Sequence, residues 1–199
     1  HTLTLDGIYG YYRKGYLYKV ILLNPGIIYT LNGAAIDNSY IDGNPVLAGH
    51  FSIGENVTIK GSITISDTLQ ANGLVTLSIL GDIINNRTIV QHPDNWGFTI
   101  KISGDITNNG TWKPSTTTLN GTDDQYISQG TGASFEDTHV FQNTDTTGKI
   151  IALTDITFKG PTDFQAYVSP NYYWTTLDMQ NHTLTLDGIY GYYRKGYLY

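Results

Sequence analysis

The side chains of this chain that could do chemistry are mostly aspartates. Fifteen of its seventeen acids are Asp, set in loops rich in Gly and Asn, and two acidic pairs stand out, Asp123-Asp124 and Glu136-Asp137. Loop carboxylates are the hard oxygen ligands calcium takes. Asp123, Asp124, Glu136 and Asp137 are therefore the candidate cation ligands, although neither pair has the spacing of an EF-hand or of a Gly-Asp nonapeptide array. Asp in such loops also simply forms turns, and paired carboxylates could serve sugar hydrolysis. The five histidines, at 1, 50, 92, 139 and 182, fall in no metal-ligand spacing. There is no Gly-x-Ser-x-Gly, and no cysteine to act as nucleophile or form a disulfide. Calcium apart, no cofactor is expected. The chain is expected not to be an enzyme, with a β-helix polysaccharide lyase or hydrolase as the enzymatic rival.

Tyrosine offers a different chemistry. Tyr9, Tyr11, Tyr12, Tyr16 and Tyr18 surround Arg13 and Lys14, and Tyr190, Tyr192, Tyr193, Arg194 and Lys195 repeat the cluster. Exposed Tyr binds sugars or partner proteins through a flat face and a polar tip, and can stack on cations. These residues form a candidate junction or binding patch; alternatively they cover a sheet, with Gly10 and Gly15 as turns. Of five Asn-x-Ser/Thr sequons, at 56, 86, 109, 120 and 181, Asn56 and Asn120 are the better candidates for glycosylation. Asn86 and Asn109 would be poor acceptors if tucked into a ladder.

The elements that carry these residues are announced by repetition. Residues 1–18 recur without a change as 182–199, an offset of 181 residues. Neither end reads as a natural terminus, so the segment is expected to be one period plus an overlap from a longer repeating chain. An engineered duplication would also produce two identical copies, as would copies that exchange strands between chains by β-augmentation. A shorter repeat lies inside. Val57-Thr-Ile-Lys-Gly61, Val75-Thr-Leu-Ser-Ile-Leu-Gly81 and Phe98-Thr-Ile-Lys-Ile-Ser-Gly104 are alternating runs closed by Gly, with Gly spacings of 20 and 23 residues. Period-2 alternation predicts strands buried on one face, and its regular return predicts stacked coils. Asn85-Asn86 and Asn108-Asn109 occupy the same place in successive units, where they could hydrogen-bond along the stacking axis. The Asn-Gly pairs at 32, 72, 109 and 120 would equally suit hairpins, which keeps repeats of an antiparallel β-sandwich as the alternative fold.

Composition agrees with an all-β chain. Gly, Asn, Thr, Tyr and Ile are plentiful, and only 14% of residues are charged. A net charge of −6 argues against a nucleic-acid partner, and no apolar run approaches the twenty residues of a membrane span. Against this acidic background Arg13, Lys14, Lys19, Arg194 and Lys195 make a local basic island.

The stretch Gly110-Thr-Trp-Lys-Pro-Ser-Thr-Thr-Thr-Leu-Asn-Gly-Thr-Asp-Asp-Gln-Tyr-Ile-Ser128, with the alternating segments after it, resembles a repeat of large bacterial and archaeal surface proteins. The resemblance covers roughly residues 57–188. It implies a right-handed parallel β-solenoid (β-helix) displayed outside the cell, with structural or adhesive duty and no catalytic residues. On this reading residues 1–56 are a Tyr-rich junction and the start of the repeat unit, 57–181 are solenoid coils, and 182–199 begin the next repeat. The expected function is that of a structural unit of an extracellular, cell-surface filament or adhesin stalk that associates with itself head to tail. The alternatives are a glycan-binding or glycan-cleaving β-helix, and a subunit that polymerises by strand exchange.

Overall fold

Short apolar–polar alternations broken by Gly, Asn and Asp give each strand one inward face and a sharp corner at each end. In the computed structural model these strands wind into a three-sided parallel β-solenoid. Residues 1–5, 15–94, 97–136, 148–159 and 176–187 are described in full; the strands Phe141–Asn143, Ala166–Val168 and Asn171–Tyr173 are described by their backbone. Each turn visits sheets A, B and C in order. The turn Ile63–Ile65, Thr68–Ala71, Val75–Ile79 is followed by Ile83–Asn85, Thr88–Gln91, Phe98–Ile102 and then by Ile106–Asn108, Thr111–Lys113, Thr116–Leu119. Among the described residues sheets A and B hold nine strands each and sheet C seven. All pairing in the three sheets is parallel, so the sandwich alternative does not hold. Among the described residues antiparallel pairing occurs only in the hairpin Ala166–Val168 with Asn171–Tyr173, which takes the third place of the eighth turn. The stacked strands are not confined to residues 57–181, because Thr2–Thr4, Tyr16–Tyr18, Ile21–Leu23 and Leu184–Asp187 belong to the same sheets.

The core is a set of columns parallel to the axis. On sheet A, Ile63, Ile83, Ile106 and Ile127 stack in register. On sheet B the column runs Leu69, Ile89, Trp112, Phe135, Phe158. All of these side chains are buried. Trp112 meets Phe135 edge-on at 5.8 Å, and Phe135 meets Phe158 at 5.3 Å, which adds to their burial. The Trp112 Nε1–H donates to the buried Thr117 Oγ1 at 2.9 Å, which explains why Trp and Thr lie five residues apart across one corner.

Two sequence signals are explained by the corners. Gly61, Gly81 and Gly104 stack, each N–H of Gly81 and Gly104 donating to the glycine carbonyl below at 3.1 Å. A Cβ on Gly81 would come within 2.8 Å of the Gly61 carbonyl carbon, so close approach of the coils, rather than backbone conformation, selects glycine there. The four Asn-Gly pairs are corners between parallel strands and not hairpin turns. A solenoid corner needs the same tight, polar turn as a hairpin, and the chain then continues to another sheet.

Candidate functional site

Buried Asn side chains join successive turns. Asn85 Nδ2 donates to Asn108 Oδ1 at 2.8 Å and to the Thr111 carbonyl at 2.9 Å. Asn108 Nδ2 donates to the Ser134 carbonyl at 2.9 Å, and the Asn108 amide oxygen accepts the Gly110 N–H at 3.2 Å. Both residues are fully buried. Asn109 Nδ2 donates to Asn86 Oδ1 at 3.0 Å in a second ladder, which is exposed. The expected axial ladder is therefore present twice, one buried and one at the surface. Gln129 continues the Asn85–Asn108 column, but its amide turns to the Ala133 carbonyl and the Thr157 N–H.

At the corner that leads into sheet A, side-chain oxygens cap backbone N–H groups one turn higher. Asn44 Oδ1 accepts from Ser62 N–H, Ser62 Oγ from Asp82, Asp82 Oδ1 from Asp105, and Asp105 Oδ1 from Tyr126. Asp124 Oδ1 caps Lys149 N–H in the same manner at 2.9 Å. Desolvation raises the Asp105 carboxyl above its ordinary range; the Tyr126 N–H opposes this, and the like charge of Asp82 below adds to it. Sequence reasoning did not find three other caps. Asp37 is buried and takes the Gly54 and Glu55 N–H groups, Gln125 takes the Gly121 N–H and donates to the Ile102 and Gly104 carbonyls, and Gln129 acts as described above. Gln125 is thus the plug of the Asn120-Gly121 corner.

The predicted site residues fall in three places. Tyr16 and Tyr18 lie on the outer face of the first strand of sheet B, their rings stacked at 5.6 Å and 12°, with Lys19 Nζ 5.1 Å from the Tyr18 ring. Tyr9, Tyr11, Tyr12, Arg13, Lys14, Tyr190, Tyr192, Tyr193, Arg194 and Lys195 lie outside the described residues, as does Asp137. Asp123 and Asp124 sit at the corner before Gln125–Gln129, whereas Glu136 ends a strand of sheet B, where it accepts Ser134 Oγ–H at 2.6 Å. Among the described residues no three His, Asp or Glu side chains converge as a metal site. Asn56 is exposed and its Oδ1 caps the Thr76 N–H at 2.7 Å; Asn120 is half-buried and accepts Ser103 Oγ–H at 3.3 Å. Asn86 and Asn109 are exposed despite their ladder.

Two surfaces remain that could meet another molecule. An open groove of about 790 Å³ crosses sheet B, lined by Leu31, Asn32, Gly33, His50, Gln70, Asn72, His92 and Asp94, with the Asp94 carboxylate 3.3 Å from His92 Nδ1. The other is the pair of solenoid ends. Leu3, Leu5, Leu17, Leu22, Leu177, Met179 and Leu184 pack on the core yet are only partly buried, and all lie in the first and last turns. The core is thus open at both ends among the described residues. No helix among those residues is long and apolar enough to cross a membrane. Comparison of the chain with protein-family models, curated proteins and solved structures found no match.

Proposed function

We propose that the chain is a structural unit of an extracellular, cell-surface filament or adhesin stalk, built from 181-residue repeats that associate head to tail. One observation carries this reading: among the described residues, incompletely buried core leucines and parallel strand edges lie at both ends of the solenoid, and the strands there include two copies of one sequence. An open parallel edge is a template for another strand, and the strand best matched to it is the one that already pairs there. The rod needs no disulfide, because its turns are tied by backbone ladders, Asn ladders and a continuous apolar core. Its function is mechanical: a stiff spacer whose ends are covered by the neighbouring units. The resemblance of residues 57–188 to surface-protein repeats supports the extracellular setting.

Electron microscopy of the native material, averaged along the filament axis, tests this. The two copies are about eight turns apart, and strands in register lie about 4.8 Å apart, which predicts an axial repeat of about 40 Å. Discrete 22.0 kDa particles would refute the filament. The groove across sheet B favours a second reading, contact with surface glycans, since amide and imidazole groups line it and suit hydroxyl partners. Loss of oligosaccharide binding in calorimetry on Gln70→Ala would support that reading; no binding by the unaltered chain would remove it.

A further inference from the structure

The two copies of the duplicated segment do not occupy equivalent places. Thr2–Thr4 is the first strand of sheet A, whereas Leu184–Asp187 is the last strand of sheet B. Leu3 and Leu184 are the same position of the repeat. Each copy shows one half of a junction: Leu3 pairs above with Ile28, and Leu184 pairs below with Ile156. The two halves are compatible. Ile28 and Ile156 are both buried inward residues, so Leu3 and Leu184 both point to the core, and both pairings are parallel. One Leu-Thr-Leu strand can therefore lie between Ile156-Thr-Phe158 of one unit and Ile28 of the next without a change of register.

We infer that consecutive units join through this shared strand with a shift of one face, so that sheet A of each unit stacks on sheet B of the unit before it. This rests on the head-to-tail reading above and specifies its interface, the partner being a second copy of this chain. Counting strands gives the shift directly: from Thr2–Thr4 to Leu184–Asp187 the chain makes eight complete turns and one further face. A repeat is then eight and one-third turns, and the frame returns only after three units. The shift also fits the other edge. Continuing the chain through the order seen in the first turn (A, then B, then C) places the next unit's Ile21–Leu23 above Leu177–Asp178 of sheet A. There Leu22, which faces inward with Ile41, covers Leu177, which faces inward with Ile150. Both leucines are among the incompletely buried side chains of the end turns. The consequence for the fibre is that the groove, the Tyr16–Tyr18 stack and any glycan on Asn56 point in three directions in turn, so a stalk built this way presents the same surface all round.

The test is the 199-residue chain extended by a second pass through residues 19–199, with one cysteine in each unit. The natural sequence has none, so any disulfide is the introduced pair. With the shift, Leu23→Cys in the second unit lies over Asp178→Cys in the first, one strand spacing away and within disulfide reach. With the faces continuous instead, Leu177–Asp178 would be covered by the second unit's Ile27–Tyr29, and Tyr29→Cys would be the residue to pair with Asp178→Cys. The expected result is about ten-fold more intramolecular disulfide for the Leu23→Cys pair than for the Tyr29→Cys pair, the latter lying one face away. Preference for the Tyr29→Cys pair overturns the shift. Disulfide in neither overturns it as well, because the second unit would then not stack on Leu177–Asp178. Discrete particles in native material alongside a strong Leu23→Cys disulfide would refute the filament and leave the junction geometry standing.

Discussion

Replacing Asn108 by Leu, which keeps the branched four-heavy-atom shape at a larger volume and removes every polar contact, probes the buried ladder without opening a cavity. The substitution strips three hydrogen bonds: from Asn85 Nδ2, from the Gly110 N–H, and to the Ser134 carbonyl. Asn85 Nδ2 keeps the Thr111 carbonyl, so the groups left orphaned are the Gly110 N–H and the Ser134 C=O. Two orphaned backbone groups at about 1–2 kcal/mol each and one surrendered bond at about 1 kcal/mol give roughly 4 kcal/mol. The additional apolar burial of Leu returns about 1 kcal/mol, for a net loss of about 3 kcal/mol. Asn109→Leu is the internal comparison, since its single ladder bond to Asn86 is exposed and should cost about 0.5 kcal/mol. Urea unfolding followed by tryptophan fluorescence reads both, with Trp112 buried on the strand that follows the ladder corner. The double variant Asn85→Leu with Asn108→Leu should cost at least about 0.5 kcal/mol less than the sum of the single variants, because the two amides share one bond. Equal losses for Asn108→Leu and Asn109→Leu would refute the claim that burial makes this ladder a stabilising element.

Gly81→Ala should lower stability by about 1–3 kcal/mol, because its Cβ would come within 2.6 Å of Ser62 Oγ and 2.8 Å of Gly61 carbon, forcing the stacked corner open. Gly73→Ala, whose nearest neighbour would be the Gly54 carbonyl oxygen at 3.1 Å, should cost less in the same urea titration; the reverse order would contradict the glycine column. Asp105→Asn keeps the acceptor for Tyr126 N–H and removes a carboxyl whose pKa is raised by desolvation and by Asp82. A raised acid favours the fold while protonated, and that contribution is lost as pH climbs through the folded-state pKa. The variant should therefore gain about 0.5 kcal/mol near neutrality, a figure reduced for the partial exposure of the group, and little below about pH 3, where the native Asp is protonated in both states. A gain independent of pH would point to something other than this charge.

Much of the fold was legible because a solenoid repeats its local rules. The closing glycines at 61, 81 and 104 do stack, and the paired asparagines at 85–86 and 108–109 do form axial ladders. Both signals survive in the sequence because those turns differ in length by only three residues. Alternation alone assigned Val57–Ile59, Val75–Ile79 and Phe98–Ile102 to half-buried strands. The caps were less visible. Asp37 reaches 17 residues forward to Gly54, while Gln129 reaches 28 forward to Thr157, so no fixed period marks them. An Asp or Gln near a glycine looks like any turn residue until the turn above is in place.

The sequence by itself determined the strand pattern, the polar corners, the inward columns and the exact recurrence of one segment, since each depends on residues close in the chain or on direct identity. Only the tertiary structure decided that the Asn-Gly pairs are corners between parallel strands, that a hairpin takes one side of the eighth turn, and that the two copies of one segment rest on different faces. The face a strand adopts is set by the summed length of every turn beneath it. Turn lengths vary with each loop, so identical residues meet different neighbours.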